Sequence, residues 1–234
     1  MEKHRVAEMF DGIACRYDFL NRLLSAGVDR SWRRKLVQML EKQKPLQILD
    51  VAAGTGDLAI ACASIKPAPN RIIGIDISTN MLEKGREKVA MRGLDKLVNL
   101  QYGDGEKIAF DDCAFDALTI AFGLRNFENP EQGLKEMNRV LRRGGVVYIL
   151  EFSMPRKGLA AALYRLYFTK ILPSVGRIFS GHSTAYGYLP NSVGKFPRYE
   201  ALLDMMRAAG FEHPEYRPLT FGIATIYTGI ATDK

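Results

Sequence analysis

The chain has 234 residues, 47% of them hydrophobic and 25% charged, which supplies a sizeable core and excludes a disordered polypeptide. Three cysteines without C-x-x-C spacing and three scattered histidines argue for reduced thiols in a cytoplasmic protein and against a metal centre, so no metal ligand is assigned. No uninterrupted apolar run is long enough to span a bilayer, the charged N-terminus does not read as a secretory signal, and the net charge of +7 points to an anionic partner or a solvated basic face.

Residues 1–45 read as an N-terminal helical layer. Val6, Met9, Phe10 and Ile13 fall at helical spacing, and Trp32, Leu36, Val37, Met39 and Leu40 mark a second amphipathic helix ended by Pro45. From Leu46 the pattern changes: strands are expected near 46–51, 71–76, 97–102, 116–121 and 145–151, with helices near 57–65, 79–92 and 131–142. Such alternation predicts an α/β fold with a mostly parallel sheet and helices on both faces, its core spanning 46–152. Gly144-Gly145 is expected to stop the last of these helices and start the fifth strand.

The alternation breaks over 153–197, which reads as an insertion or cap. Between Pro155 and Tyr199 stand seven basic residues and no acidic one, so this segment carries the whole charge excess. Its Tyr164, Tyr167 and Phe168 beside Arg165 and Lys170 suit an interfacial surface. Residues 198–234 close the chain with a helix around Leu202 to Met206 and a β-branched, aromatic tail that reads as a final strand or hairpin. No internal repeat is present, and the whole is most simply one domain.

The stretch Asp50-Val51-Ala52-Ala53-Gly54-Thr55-Gly56-Asp57 turns the first strand into a helix through glycines. Gly54 and Gly56 lack Cβ, so a ligand can approach the backbone closely. Asp76 closes the second strand, where a carboxylate can accept both hydroxyls of a ribose. Two cofactors compete for this pattern. Gly54-x-Gly56-x-x-Ala59 with Asp76 20 residues after Gly56 fits a dinucleotide site. Asp50 before the loop and the Gly103-Asp104-Gly105-Glu106 turn after the third strand favour a donor that carries an amino group. After the fourth strand, Ala121-Phe122-Gly123-Leu124-Arg125-Asn126-Phe127 places a fixed cation and an amide at the carboxyl edge of the sheet, where open α/β sheets bind ligands.

Asp50 with Gly54-x-Gly56, Asp76 and Asp104 resembles the class I methyltransferases, although Ala52 stands where many members have glycine. Tyr17-Asp18-x-x-Asn21, Phe122-Gly123-Leu124-Arg125-Asn126, Tyr188-Leu189-Pro190-Asn191-Ser192-Val193 and Leu203-x-Met205-Met206-x-x-Ala209-Gly210-Phe211 are similar to the quinone C-methyltransferases of menaquinone and ubiquinone biosynthesis, over nearly the whole chain. That resemblance implies a Rossmann-like seven-stranded sheet. It implies S-adenosylmethionine bound by Asp50, Gly54, Thr55, Gly56, Asp76, Asp104, Gly105 and Ala121, and catalysis by Arg125, Asn126 and Tyr17. The acceptor it implies is a polyprenyl hydroquinone, with Ala121 in place of a serine tilting toward demethylmenaquinol. The insoluble tail of such an acceptor suggests peripheral contact with anionic membrane at the inner face. Nucleic acid is not an expected partner, and a homodimer is left open.

Overall fold

The apolar run Gln47–Val51 forms β1, and its neighbours on the two sides come from opposite directions along the chain. The structure is a computed structural model and describes residues 5–12, 14, 25, 27–155 and 192–232. Beside β1 lie β2 (Arg71–Asp76) and then β3 (Val98–Tyr102) on one side, and β4 (Phe115–Ala121) and β5 (Leu141–Phe152) on the other, all parallel. β7 (Ala224–Ala231) runs antiparallel to β5, and β6 (Phe211–Leu219) antiparallel to β7, so the order is β3-β2-β1-β4-β5-β7-β6. The strand order therefore reverses between β1 and β4, and a crevice opens above their carboxyl ends. This is the mostly parallel seven-stranded sheet expected from the sequence.

Helices cover both faces, as period-3.6 patterns between buried strands require. On one face α1 (Asp29–Glu41) packs Trp32, Leu36 and Leu40 against Ile48, Tyr148 and Ile226, joined by α2 (Asp57–Cys62) and α3 (Thr79–Met91). On the other, α4 (Pro130–Val140) and α5 (Glu200–Ala208) bury Leu134, Met137, Leu202 and Met206 against Leu49, Leu118, Ile149 and Tyr227. Sequence-local chemistry fixes where these helices start. Ser78 Oγ accepts from Met81 N, and Asn129 accepts from Gln132 N with Pro130 at the first helical position. Residues 5–12 and 14 are helical as well, with Val6 buried.

Two expectations need correction, and the tail follows its expected pattern. α4 ends at Val140 and β5 begins at Leu141, so Gly144 and Gly145 lie inside the strand and neither stops the helix. They serve a bulge: the β4–β5 register shifts between Phe115 and Ala117, Gly144 takes φ +75°, and a Cβ on Gly145 would meet Arg142 O at 2.8 Å. α2 has six residues rather than nine, because Ala63, Ser64 and Ile65 donate to carbonyls three residues back and tighten the end of the helix. The tail is a full hairpin joined through Thr220–Gly222, where Phe221 adopts φ 57°.

Among the described residues no helix is long and apolar enough to cross a membrane. Tyr17, the Tyr188 to Asn191 motif and the aromatic stretch of the basic segment lie outside the described residues.

Candidate active site

The loops after β1, β2, β3 and β4 enclose a cleft of about 670 Å³, its open mouth included. Ala52, Gly54, Asp76, Asp104, Gly105, Ala121 and Asn126 line it together, as the sequence predicts for residues scattered over some 75 positions. A smaller space of about 330 Å³ adjoins it, sharing Ala52, Gly54 and Ala121 and adding Asp50, Thr55 and Arg33. Gly56 lines neither: at φ +74° it lets the chain turn into α2, and a Cβ there would press on Leu100 Cδ1 at 2.8 Å.

The acids differ in what already holds them. Asp76 accepts from Gly54 N at 2.8 Å and from Ser78 N at 2.9 Å, which ties the glycine loop to the tip of β2. Burial pushes its carboxyl up, opposed by the N–H groups of Ser78, Gly54 and Ile77. Asp50 is almost fully buried. It accepts from Thr119 Oγ1 at 2.7 Å and Ala59 N at 3.1 Å, and burial pushes its pKa up to about 7 against those two bonds and the attraction of Arg33. Asp104 accepts from Glu106 N and shapes the turn that presents Gly105. A Cβ on Gly105 would collide with the Phe127 ring and meet Val51 Cγ1 at 2.7 Å, so only glycine fits against those two side chains.

Backbone strain collects at the same place. Ala52 takes φ 52° and Phe122 takes φ 58°, both in the left-handed region that L side chains disfavour by about 1–2 kcal/mol. The tips of β1 and β4 are wedged together there, since a Cβ on Gly123 would run into Ala52 Cβ within 2.5 Å. The alanine that departs from the glycine pattern thus adopts a glycine-like backbone.

Arg125 does not line the cleft. Its Nη1 donates to Glu151 Oε1 at 2.6 Å and to Phe122 O at 2.5 Å, while its guanidinium carbon lies 5.3 Å from the Phe152 ring centroid. Its buried Nε has no hydrogen-bond acceptor among the described residues. Asn126 Nδ2 donates to Phe122 O at 3.2 Å, so the strained residue anchors both neighbours. Sequence reasoning missed Glu151, although an acid at the carboxyl end of a buried parallel strand is the signal that identified Asp76. It also missed Arg33, one of three arginines in Arg30 to Arg34, and the part of Val6 and Phe10 as a wall of the cleft.

Comparison with known proteins decides between the two cofactors. The model of the ubiE/COQ5 methyltransferase family matches residues 1–231. The chain belongs to that family. Among its curated relatives, a ubiquinone/menaquinone biosynthesis C-methyltransferase of Geotalea daltonii is 50% identical over 96% of this chain and 95% of its own length. A demethylmenaquinone methyltransferase of Bacteroides fragilis is 43% identical over 97% of this chain and 92% of its own. In fold, an S-adenosylmethionine-dependent methyltransferase from Thermotoga maritima superposes with a TM-score of 0.66 at 19% identity, covering 96% of this chain and 99% of its own.

Membership in the ubiE/COQ5 family makes the chain a quinone C-methyltransferase that uses S-adenosylmethionine. The described residues fit that donor. The cleft and the smaller space meet along Ala52, Gly54 and Ala121, with Asp76 lining the first and Asp50 and Arg33 the second, which leaves polar groups at both ends of an elongated ligand. Among the described residues no group of three or more His, Cys, Asp or Glu is placed to hold a metal.

Proposed function

We propose that this chain methylates a ring carbon of demethylmenaquinol, the last step of menaquinone biosynthesis. The observation that carries the choice of acceptor is the apolar wall formed by Ala121, Phe122 and Phe127 beside Asn126. A fused naphthoquinol presents an apolar second ring to such a wall, whereas the methoxylated benzoquinol of the ubiquinone pathway would bury an oxygen there and lose its hydration. The names of the relatives include both activities, and in this reading Ala121 is one of the residues that choose between them.

The donor supplies an electrophilic sulfonium methyl. The protein's own work is to hold the two partners in line and to make the ring carbon electron-rich. Loss of a hydroquinone proton does the latter, but a phenol has a pKa of about 10 and keeps its proton at neutral pH unless positive charge stands near. In this reading Arg125 supplies that charge and a hydrogen-bond donor to the phenolate, with Asn126 and Tyr17 completing the contacts. Asp50, Gly54, Thr55, Gly56, Asp76, Asp104, Gly105 and Ala121 hold the donor. The basic, aromatic segment between Pro155 and Tyr199 collects the lipid-tailed acceptor from anionic membrane.

Transfer of a labelled methyl group to short-chain demethylmenaquinol and to its ubiquinone-pathway counterpart tests the reading. Product from the naphthoquinol alone is expected. Equal rates on both, or product from the benzoquinol alone, would replace it with a dual-function or ubiquinone-branch enzyme.

A further inference from the structure

The smaller space beside the glycine loop contains a cation that none of the motifs accounts for. Arg33 projects from the first turns of α1, is largely buried with its side chain 11% exposed, and lines this space together with Asp50, Gly54 and Thr55. Two contacts fix it. Nη1 pairs with Asp29 one turn earlier, which is itself held by Ser25 Oγ at 2.7 Å, and the guanidinium carbon sits 5.8 Å from the centroid of the Phe122 ring. Asp29 is the one hydrogen-bond acceptor that Arg33 has among the described residues, and it engages Nη1 alone. The edge of the planar fork made by Nε and Nη2 is therefore left to whatever enters the space. The unpaired atoms of that edge are not sealed from solvent, so a ligand that enters the space can reach them and displace water.

The neighbouring acids sort themselves. Asp57 pairs with Lys88 of α3, and Lys88 also donates to Thr55 Oγ1 at 3.0 Å, so this corner is already neutralised. Asp50 has no cationic hydrogen-bond partner, only Thr119 and Ala59 N. The space is thus lined by one preorganised cation and one acid beside the Gly54–Thr55 backbone, which is the complement of a zwitterion.

We infer that Arg33 binds the α-carboxylate of the donor's methionine end through its Nε–Nη2 edge, with Asp50 taking the α-ammonium. The inference rests on the donor reading and adds a residue outside its motifs. A bidentate guanidinium–carboxylate pair fixes orientation as well as position, because both N–H bonds must lie in the carboxylate plane. Asp29 is a positioning residue for that fork. With the amino-acid end clamped in the smaller space and the nucleoside in the cleft, the thioether or sulfonium lies between them, over the shared residues Ala52, Gly54 and Ala121.

The test compares two ligands that differ by the group in question. S-adenosylhomocysteine carries the amino-acid end; 5′-methylthioadenosine keeps the nucleoside and thioether and lacks it. By calorimetry, Arg33→Met is expected to weaken S-adenosylhomocysteine by about 10- to 100-fold, the range for a charge-assisted hydrogen bond, and to leave 5′-methylthioadenosine unchanged. Arg33→Lys should recover part of the loss but not all of it. Because Arg33→Met strands the Asp29 carboxylate, the double variant Asp29→Asn/Arg33→Met is measured alongside, and it should show the same selective loss from a stably folded chain. Equal weakening of both ligands, or unchanged S-adenosylhomocysteine affinity, overturns the inference and makes Arg33 a brace between α1 and Phe122. A wild-type chain that binds neither ligand would overturn the donor reading itself, a result distinct from either.

Discussion

Arg125 and Glu151 form a buried ion pair 2.6 Å long across the carboxyl ends of β4 and β5, with their side chains 6% and 1% exposed. The same carboxylate also accepts from Phe152 N at 2.8 Å. A guanidinium so paired cannot swing to solvent, and its orientation behind the cleft wall is fixed. Glu151 lowers the net charge that Arg125 presents, so the gain is direction rather than field strength.

Arg125→Ala is expected to lower kcat by about 10²–10³ while S-adenosylhomocysteine affinity changes little, as for loss of one preorganised donor. It also leaves Glu151 buried and alone, which costs about 3–5 kcal/mol of stability. Arg125→Lys separates the two effects. An ammonium can keep the ion pair and much of the stability, but it cannot copy the planar fork, so thermal unfolding should recover and turnover should not. Normal turnover by Arg125→Ala would make the pair purely structural.

Asp76→Ala removes the acceptor for the ribose hydroxyls and also unties Gly54 N and Ser78 N. Donor binding should weaken by about 1.5–3 kcal/mol, the value of hydrogen bonds to a charged group. Calorimetry with S-adenosylhomocysteine reads this directly, and an unchanged dissociation constant would remove Asp76 from the ribose site.

Gly105→Ala places a methyl against Phe127 and Val51. Relief requires the Phe127 ring to move, at a cost of about 1–3 kcal/mol typical of overpacking, and that ring is a wall of the cleft. Stability and donor affinity should fall together. A crystal structure of the variant with Phe127 in place and affinity intact would contradict this account of Gly105.

Asp50 makes stability and binding depend on pH in opposite senses. Its folded pKa of about 7 lies above the ordinary aspartate value of 3.8, so the folded chain holds the extra proton between those values. Stability from this group is thus fully present below the lower value and is lost as pH rises through about 7. Asp50→Asn should flatten that slope, because the amide can accept from Ala59 N and donate to Thr119 Oγ1; urea unfolding from pH 5 to 8 measures it. An α-ammonium instead favours the ionised form, so S-adenosylhomocysteine should bind more tightly as pH rises from 6 to 8, with proton release detectable in buffers of different ionisation enthalpy. Binding that is flat over this range in the wild type would place the ammonium elsewhere.

The sheet was legible in the sequence because β1, β2 and β4 are short, largely apolar runs and β3 alternates apolar with polar residues, each followed within a few positions by a glycine or an acid. β5 was legible only from Gly145 onward. Its first residues are Leu141, Arg142 and Arg143, which carry a helical pattern forward, and pairing with Phe115 across a bulge overrides that local preference.

The lining of the cleft and its adjoining space could be read from sequence for a related reason: Asp50, Gly54, Asp76, Asp104 and Gly105 each stand at or just after the end of a strand, and parallel strands bring all their carboxyl ends to one edge. Arg33 and Glu151 owe their places to something the sequence does not display. Arg33 reaches the site only because α1 packs Trp32 and Leu36 onto the sheet and turns the intervening face toward the glycine loop, while its neighbours Arg30 and Arg34, of identical chemistry, remain exposed. Glu151 meets Arg125 across 26 positions because β4 and β5 are parallel neighbours in register at Ala121 and Leu150. Periodicity and strand-end chemistry are local and determine elements and their edges; which of several like charges is buried beside which partner is a property of packing, and only the tertiary structure decides it.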